Sequence, residues 1–309
     1  MLSASRSGLL LAIAGSTLFA FKPVLIKLIY GYGLDTLTIL TWRMIFSLPC
    51  YLAVGVWVVV NQKVSLTKDF SRAASLAVVL GIIGYYCAAF ADLYGLQFVS
   101  AQLGRMILFT YPTLVTLLGW WLLGAAVSRS TIVALVVSYF GIGMIFLHDL
   151  AFYGTDVLQG AIWIFISAVC FSSFMVFSKP VIAFLGSRLF TCVAMTSASL
   201  AIILHFSLTY WILGDGGIQH SIPEAEPMIH IFLLAIFCTV VPSFFIAAAI
   251  QRIGSSPTSI VGCIGPVVTA GFAVAILAER FTIYHLIGML LVVGAVTLSG
   301  LNTVRKPLT

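Results

Sequence analysis

Four basic side chains and one acid stand inside long apolar stretches of this sequence: Lys22, Arg43, Arg105 and Lys179, with Asp92. A charge in hydrocarbon costs at least about 2.5–3.5 kcal/mol on insertion scales, so such groups face a cavity, a partner or the membrane interface. Cations outnumber the acid. The chemistry this offers is recognition of small anionic or zwitterionic solutes, with ammonium and guanidinium groups for a carboxylate and Asp92 for an ammonium. Asp92 and Arg105 lie at nearly equal separations from a turn expected near residues 97–101, so a hairpin would bring them to similar depth. They are expected to form an ion pair, either a permanent bridge or one that opens for substrate.

The other charges read individually. Lys22 lies about 14 residues into its stretch, roughly 21 Å from the inner end; both snorkelling and lining a cavity are open to it. Lys179 lies within a turn of the inner end of its stretch, where snorkelling is favoured. Arg43 follows Trp42 two turns into its stretch, too deep to reach water without distortion, so a structural partner and a substrate are both open. Tyr86, two turns inward from Asp92 and near its face, is the aromatic candidate for a cavity wall, and Tyr111, just before Pro112, joins the substrate-binding set. Enzyme chemistry finds no support: there is no glycine-rich phosphate loop, no metal-ligand histidine spacing and no Ser/His/Asp arrangement within helical reach. Catalytic residues, a metal and a cofactor are therefore not expected. His148-Asp149 is placed at a loop, and His205 reads as a hydrogen-bonded core residue.

The elements that position these groups follow from composition. With 61% hydrophobic and 8% charged residues and a mean hydropathy of +1.17, the chain has too little polar surface for a soluble domain of 309 residues. The fold class is an all-α membrane protein. A spanning helix needs roughly 20 apolar residues, and about ten such stretches occur, near 8–30, 36–60, 73–95, 102–124, 130–148, 158–183, 188–213, 229–251, 257–278 and 283–303. Longer loops are expected at 61–72 and 214–227. The formal charge of +6 is scattered at the ends of apolar stretches, which argues for membrane orientation and against nucleic acid. The six cysteines lie in apolar stretches without zinc or redox spacing and read as small buried hydrophobes.

The chain also repeats itself. Lys22-Pro23-Val24 returns as Lys179-Pro180-Val181, and Leu96-Gln97 to Pro112 matches Ile250-Gln251 to Pro266 at one offset. Residues 1–150 and 151–309 thus read as two five-helix repeats, and because five is odd the second enters the membrane inverted, as in secondary transporters. Lysines and arginines concentrate in the loops that are inner if both termini are cytoplasmic. Pro112 and Pro266 are candidate hinges, together with Lys179 at the repeated Lys-Pro step. Gly81, Gly84, Gly119, Gly124, Gly141, Gly143, Gly288 and Gly294 are expected to serve close helix packing. Arg43, Asp92 and Arg105 have no charged counterpart in the second half, Arg105 aligning with Ser259.

Tyr111-Pro112 and Gly265-Pro266, with Leu277-Ala278-Glu279-Arg280 after the ninth stretch and Gly-Leu-Gln-Phe-Val-Ser-Ala at 95–101, resemble the EamA-type members of the drug/metabolite transporter superfamily. The resemblance covers almost the whole chain. It implies a carrier of the bacterial inner membrane that moves small metabolites, often outward, by alternating access, with helices one, three, four, six, eight and nine around a central cavity. The acid at Glu279 is missing from the first repeat, where Gly124-Ala125-Ala126 stands, so the two gates differ chemically. The expected function is export of an amino acid or organic acid. A multidrug carrier and a carrier of phosphorylated solutes or nucleotide sugars share the fold; a membrane enzyme or a non-transporting receptor or assembly protein is the alternative of another class. The partners expected are a small-molecule substrate and the bilayer.

Overall fold

Apolar runs of this length can satisfy their backbone donors and acceptors in a bilayer only by closing them internally, as helices. The computed structural model describes residues 2–62, 68–124, 129–213, 222–253, 258, 261–262 and 264–305, and among these there is no strand. The helices are α1 (Leu2–Tyr30), α2 (Thr36–Gln62), α3 (Lys68–Leu96), α4 (Ala101–Leu108), α5 (Tyr111–Leu123), α6 (Arg129–Tyr153), α7 (Asp156–Leu185), α8 (Ser187–Leu213), α9 (225–253), α10 (Gly265–Leu277) and α11 (Ile283–Arg305). Seven of them, α1–α3 and α6–α9, are long and apolar enough to cross a membrane, and α10 and the stretch Ile283–Ala295 of α11 are shorter apolar helices. The expected stretch 102–124 is split into α4 and α5 at Phe109-Thr110. Of the expected loops, residues 63–67 and 214–221 lie outside the described residues, while Lys68 already opens α3.

Local sequence sets the helix ends. Asp35 caps α2, its Oδ2 accepting the N–H groups of Leu37 (2.9 Å) and Thr38 (3.1 Å), which satisfies donors that a helix start leaves open. Ser100 caps α4 by accepting the Leu103 N–H. Gly154 takes φ +86° after α6, one turn later than the sequence reading placed the helix end. His148 and Asp149 therefore sit in the last turns of α6 and not in a loop.

The main packing partners join the two halves of the chain. α1 lies along α9 and α10, α2 along α8, α3 along α7, and α6 along α11. Close approach is built where side chains vanish: a Cβ on Gly141 would stand 2.7 Å from the Gly288 carbonyl oxygen, and one on Gly288 2.6 Å from that of Gly141. Backbone thus touches backbone at the centre of the α6–α11 pair. Gly81 and Gly84 likewise press on Ala194 and Phe174, whereas Gly143 and Gly294 face open space and Gly124 ends α5 at φ +66°.

Two irregularities recur at a constant offset. α3 passes through a π-helical segment at Ile82–Cys87 and α9 through another at Ile236–Val240. Tyr111-Pro112 opens α5 as Gly265-Pro266 opens α10, each proline in the first turn, where a helix needs no N–H from it. Residues 82 and 236, 111 and 265, and the left-handed caps 124 and 278 are all separated by the same number of residues.

Candidate functional site

A π segment inserts an extra residue into a helical turn, which rotates everything beyond it by about 100° relative to an unbroken helix. Asp92 follows the π segment of α3 and faces α1. Lys22 Nζ donates to Asp92 Oδ2 at 2.7 Å, with the two side chains 18% and 8% exposed. This corrects the expected partner. Similar depth along a hairpin does not fix the direction a side chain takes around its helix, and here Asp92 turns to α1 while Arg105 on α4 has no carboxylate within 4.0 Å among the described residues.

Arg105 and Arg43 complete the cluster. Arg43 is buried, 3% exposed, and Arg105 half-buried; the Nε of each has no hydrogen-bond partner. Both guanidiniums stand in the field of Asp92, and Lys22 stands in the field of both. Three cations therefore surround one carboxylate. The opening of α10 closes one side, a Cβ on Gly265 falling 3.4 Å from Arg105 Nη2. On another, the π segment of α9 brings Cys238 into the field of Lys22 and Arg43. Tyr51 Oη, on the same helix as Arg43, meets Ser243 Oγ at 3.2 Å just beyond that segment. Toward the end of α1, Tyr30 Oη donates to the Leu93 carbonyl (2.8 Å) and meets Thr36 Oγ1 (2.9 Å), which accepts from Gln97 Nε2 (2.6 Å).

The remaining sequence candidates divide. Tyr111 lies near Arg105 and sets its ring edge-on against Phe171 at 5.3 Å. Pro112 and Pro266 sit beside Tyr111 and Gly265 in the same region. Tyr86 instead meets His205 Nδ1 of α8 through its hydroxyl at 2.8 Å, so His205 is hydrogen-bonded as expected. Lys179 is exposed near the end of α7 and outside the cluster. Ser259 lies outside the described residues.

Sequence reasoning missed a second polar group. Glu279 reaches across the molecule and caps α4: its carboxylate accepts the Ala101 N–H at 2.7 Å and the Gln102 N–H at 3.4 Å, and Gln102 Nε2 at 3.3 Å. Ser100 Oγ, beside this cap, donates to Asp149 Oδ2 at 2.9 Å. Asp149 is fully buried and also meets His148 and His285, while Lys27 stands in the field of Glu279 and Asp149. The sequence traces of this network were the Leu-Ala-Glu-Arg motif and the His148-Asp149 pair, which the sequence reading placed at a loop and did not connect. A groove of about 510 Å³ lies here, lined by Met144, Leu147, His148, Ala151, Phe152 and Tyr284, away from the Lys22–Asp92 cluster.

The sequence profile of the EamA-like transporter family matches residues 6–147 and again 158–301. The chain belongs to this family. Two relatives from Bacillus subtilis (strain 168) carry matching names: the uncharacterized transporter YcbK, 22% identical over 92% of this chain and 89% of that protein, and the uncharacterized transporter YetK, 21% identical over 82% and 79%. A solved crystal structure shares the fold at a TM-score of 0.63 and 17% identity, covering 97% of this chain and 98% of its own. The EamA chain is thus a multi-pass membrane transporter of the drug/metabolite superfamily type, with a small-molecule substrate and a lipid environment. Its charged cluster lies between helices of both halves, Gly265 of the second half closing on Arg105 of the first.

Proposed function

We propose that this EamA transporter exports a small zwitterionic or anionic metabolite, an amino acid or organic acid, across the bacterial plasma membrane by alternating access, with both termini cytoplasmic. One observation carries the substrate class. Around a single Lys22–Asp92 pair lie two further cations, Arg43 and Arg105, each with an unpaired Nε. Guanidinium donors of this kind fit a carboxylate, and Asp92 can exchange its ammonium partner for that of a substrate. The double match of the family profile and the recurring π segments and proline-opened helices support two related halves, 1–150 and 151–309, that rock about the cluster with Pro112 and Pro266 at the pivots. Because the first half supplies all four charges, recognition is unequal between the halves.

The test is a counterflow screen in proteoliposomes preloaded with amino acids and organic acids. Trans-stimulated uptake of a carboxylate-bearing solute, lost in Arg105→Ala and Arg43→Ala at normal expression, is expected. Competition by hydrophobic cations alone would overturn the substrate class, and so would undiminished transport by both variants.

A further inference from the structure

We infer that His148, Asp149 and His285 form a site for a divalent transition metal such as Zn2+, separate from the transport cluster. His148 Nδ1 and His285 Nε2 each lie 3.2 Å from the same oxygen, Asp149 Oδ1, and one ligand atom from each of the three residues lies within 4.8 Å of the others. Bonds of about 2.1 Å to a tetrahedral ion put neighbouring ligand atoms about 3.4 Å apart. Two edges of the triangle already have nearly that length, and an ion can enter by drawing the two imidazole nitrogens, at most 4.8 Å apart, toward each other. Two imidazoles and one carboxylate are a ligand set that zinc uses, with a fourth position left to water.

Surrounding groups orient the ligands as metal sites require. His285 Nδ1 meets Thr282 Oγ1 at 2.9 Å, which holds the ring with Nε2 toward Asp149. Asp149 Oδ2 is fixed by the Ser100 hydroxyl at 2.9 Å. The His148 ring is held between Phe152 and Tyr284, with ring centroids 6.4 and 5.2 Å away. A metal on Nε2 of His285 needs the ring N–H on Nδ1, where Thr282 Oγ1 can accept it while the weak contact from the Thr282 backbone N–H, 3.4 Å away, is given up.

The backbone presents the ligands with little freedom. His148 and Asp149 are neighbours on α6 and His285 lies in the first turn of α11, and these two helices touch at Gly141 and Gly288. Access comes from the groove lined by His148, Phe152 and Tyr284. A bound ion would join α6 to α11 and, through Ser100, to the start of α4.

The test uses the full-length protein in detergent, stripped with chelator and dialysed against Zn2+. One zinc per chain is expected, with a higher melting temperature than the stripped protein. His148→Ala, at a half-buried ring on the groove, should weaken binding at least tenfold while melting normally without metal. Thr282→Val, which removes only the ring-orienting hydroxyl, should weaken it about 10–100-fold. Co2+ in place of zinc reports the ligands in the unaltered chain, and visible bands of tetrahedral nitrogen and oxygen ligation are expected. Absence of retained zinc, equal retention by wild type and His148→Ala, or a thiolate charge-transfer band placing Co2+ on cysteine would each overturn the site.

Discussion

Asp92 is the residue on which the interior cluster turns, since it is the one carboxylate among three cations. Removing one partner of a buried pair leaves the other charge uncompensated, which costs about 3–5 kcal/mol. Asp92→Ala is expected to lower stability by that order and to abolish transport. Replacing both partners, as Lys22→Met with Asp92→Leu, should recover part of the stability, since Arg43 and Arg105 still lose the carboxylate they share, and none of the transport. Thermal unfolding and proteoliposome flux on wild type, Lys22→Met, Asp92→Leu and the double variant form the double-mutant cycle; a double variant that transports would remove the pair from the mechanism. That these residues mattered was legible from the cost of charge in hydrocarbon. Their pairing was not, because Lys22 and Asp92 are 70 residues apart and only the azimuth of each helix decides which charges meet.

The fourth apolar stretch of the sequence is broken into α4 and α5, and the short α4 depends on its cap. Glu279 satisfies donors at the start of α4 that its own sequence leaves open beyond Ser100. Glu279→Ala should destabilise the protein by about 1–2 kcal/mol and raise amide hydrogen exchange at residues 101–104, with Glu279→Gln milder because its amide oxygen still accepts. Unchanged exchange in Glu279→Ala would mean that the cap contributes nothing. A different element prediction concerns α6 and α11. Gly141→Val places a methyl-bearing carbon against the Gly288 carbonyl, and overpacking of this kind costs about 1–3 kcal/mol; Gly143→Val, which faces open space, should cost far less when the two melting temperatures are compared. Helix positions were readable from hydrophobic runs, and Glu279 was visible as a motif, but its target lies 178 residues earlier. The end of α6 was misplaced because His148 and Asp149 look like loop residues until Asp149 is seen to be wholly buried.

For the whole molecule, the consequence of the packing is that the halves do not stand alone. The pairs α1–α9, α2–α8, α3–α7 and α6–α11 each take one helix from residues 2–153 and one from 156–305, so either half by itself would present its inner faces to lipid. Buried polar groups would then lose their partners: the Thr269 hydroxyl donates to the Ala20 carbonyl (2.7 Å), the Ser167 hydroxyl to the Ala88 carbonyl (2.7 Å), and Glu279 reaches α4. In hydrocarbon no water replaces such bonds, so separation is costly even where the exposed surface is apolar. Expressed singly, residues 1–154 and 155–309 should each be degraded or fail to purify as a monodisperse species. Co-expressed, with the cut at Gly154-Thr155 between α6 and α7, they should copurify and transport, because that turn carries none of these bonds. Stable, monodisperse halves would show that each half holds its own core, with an interface much weaker than the one these contacts describe.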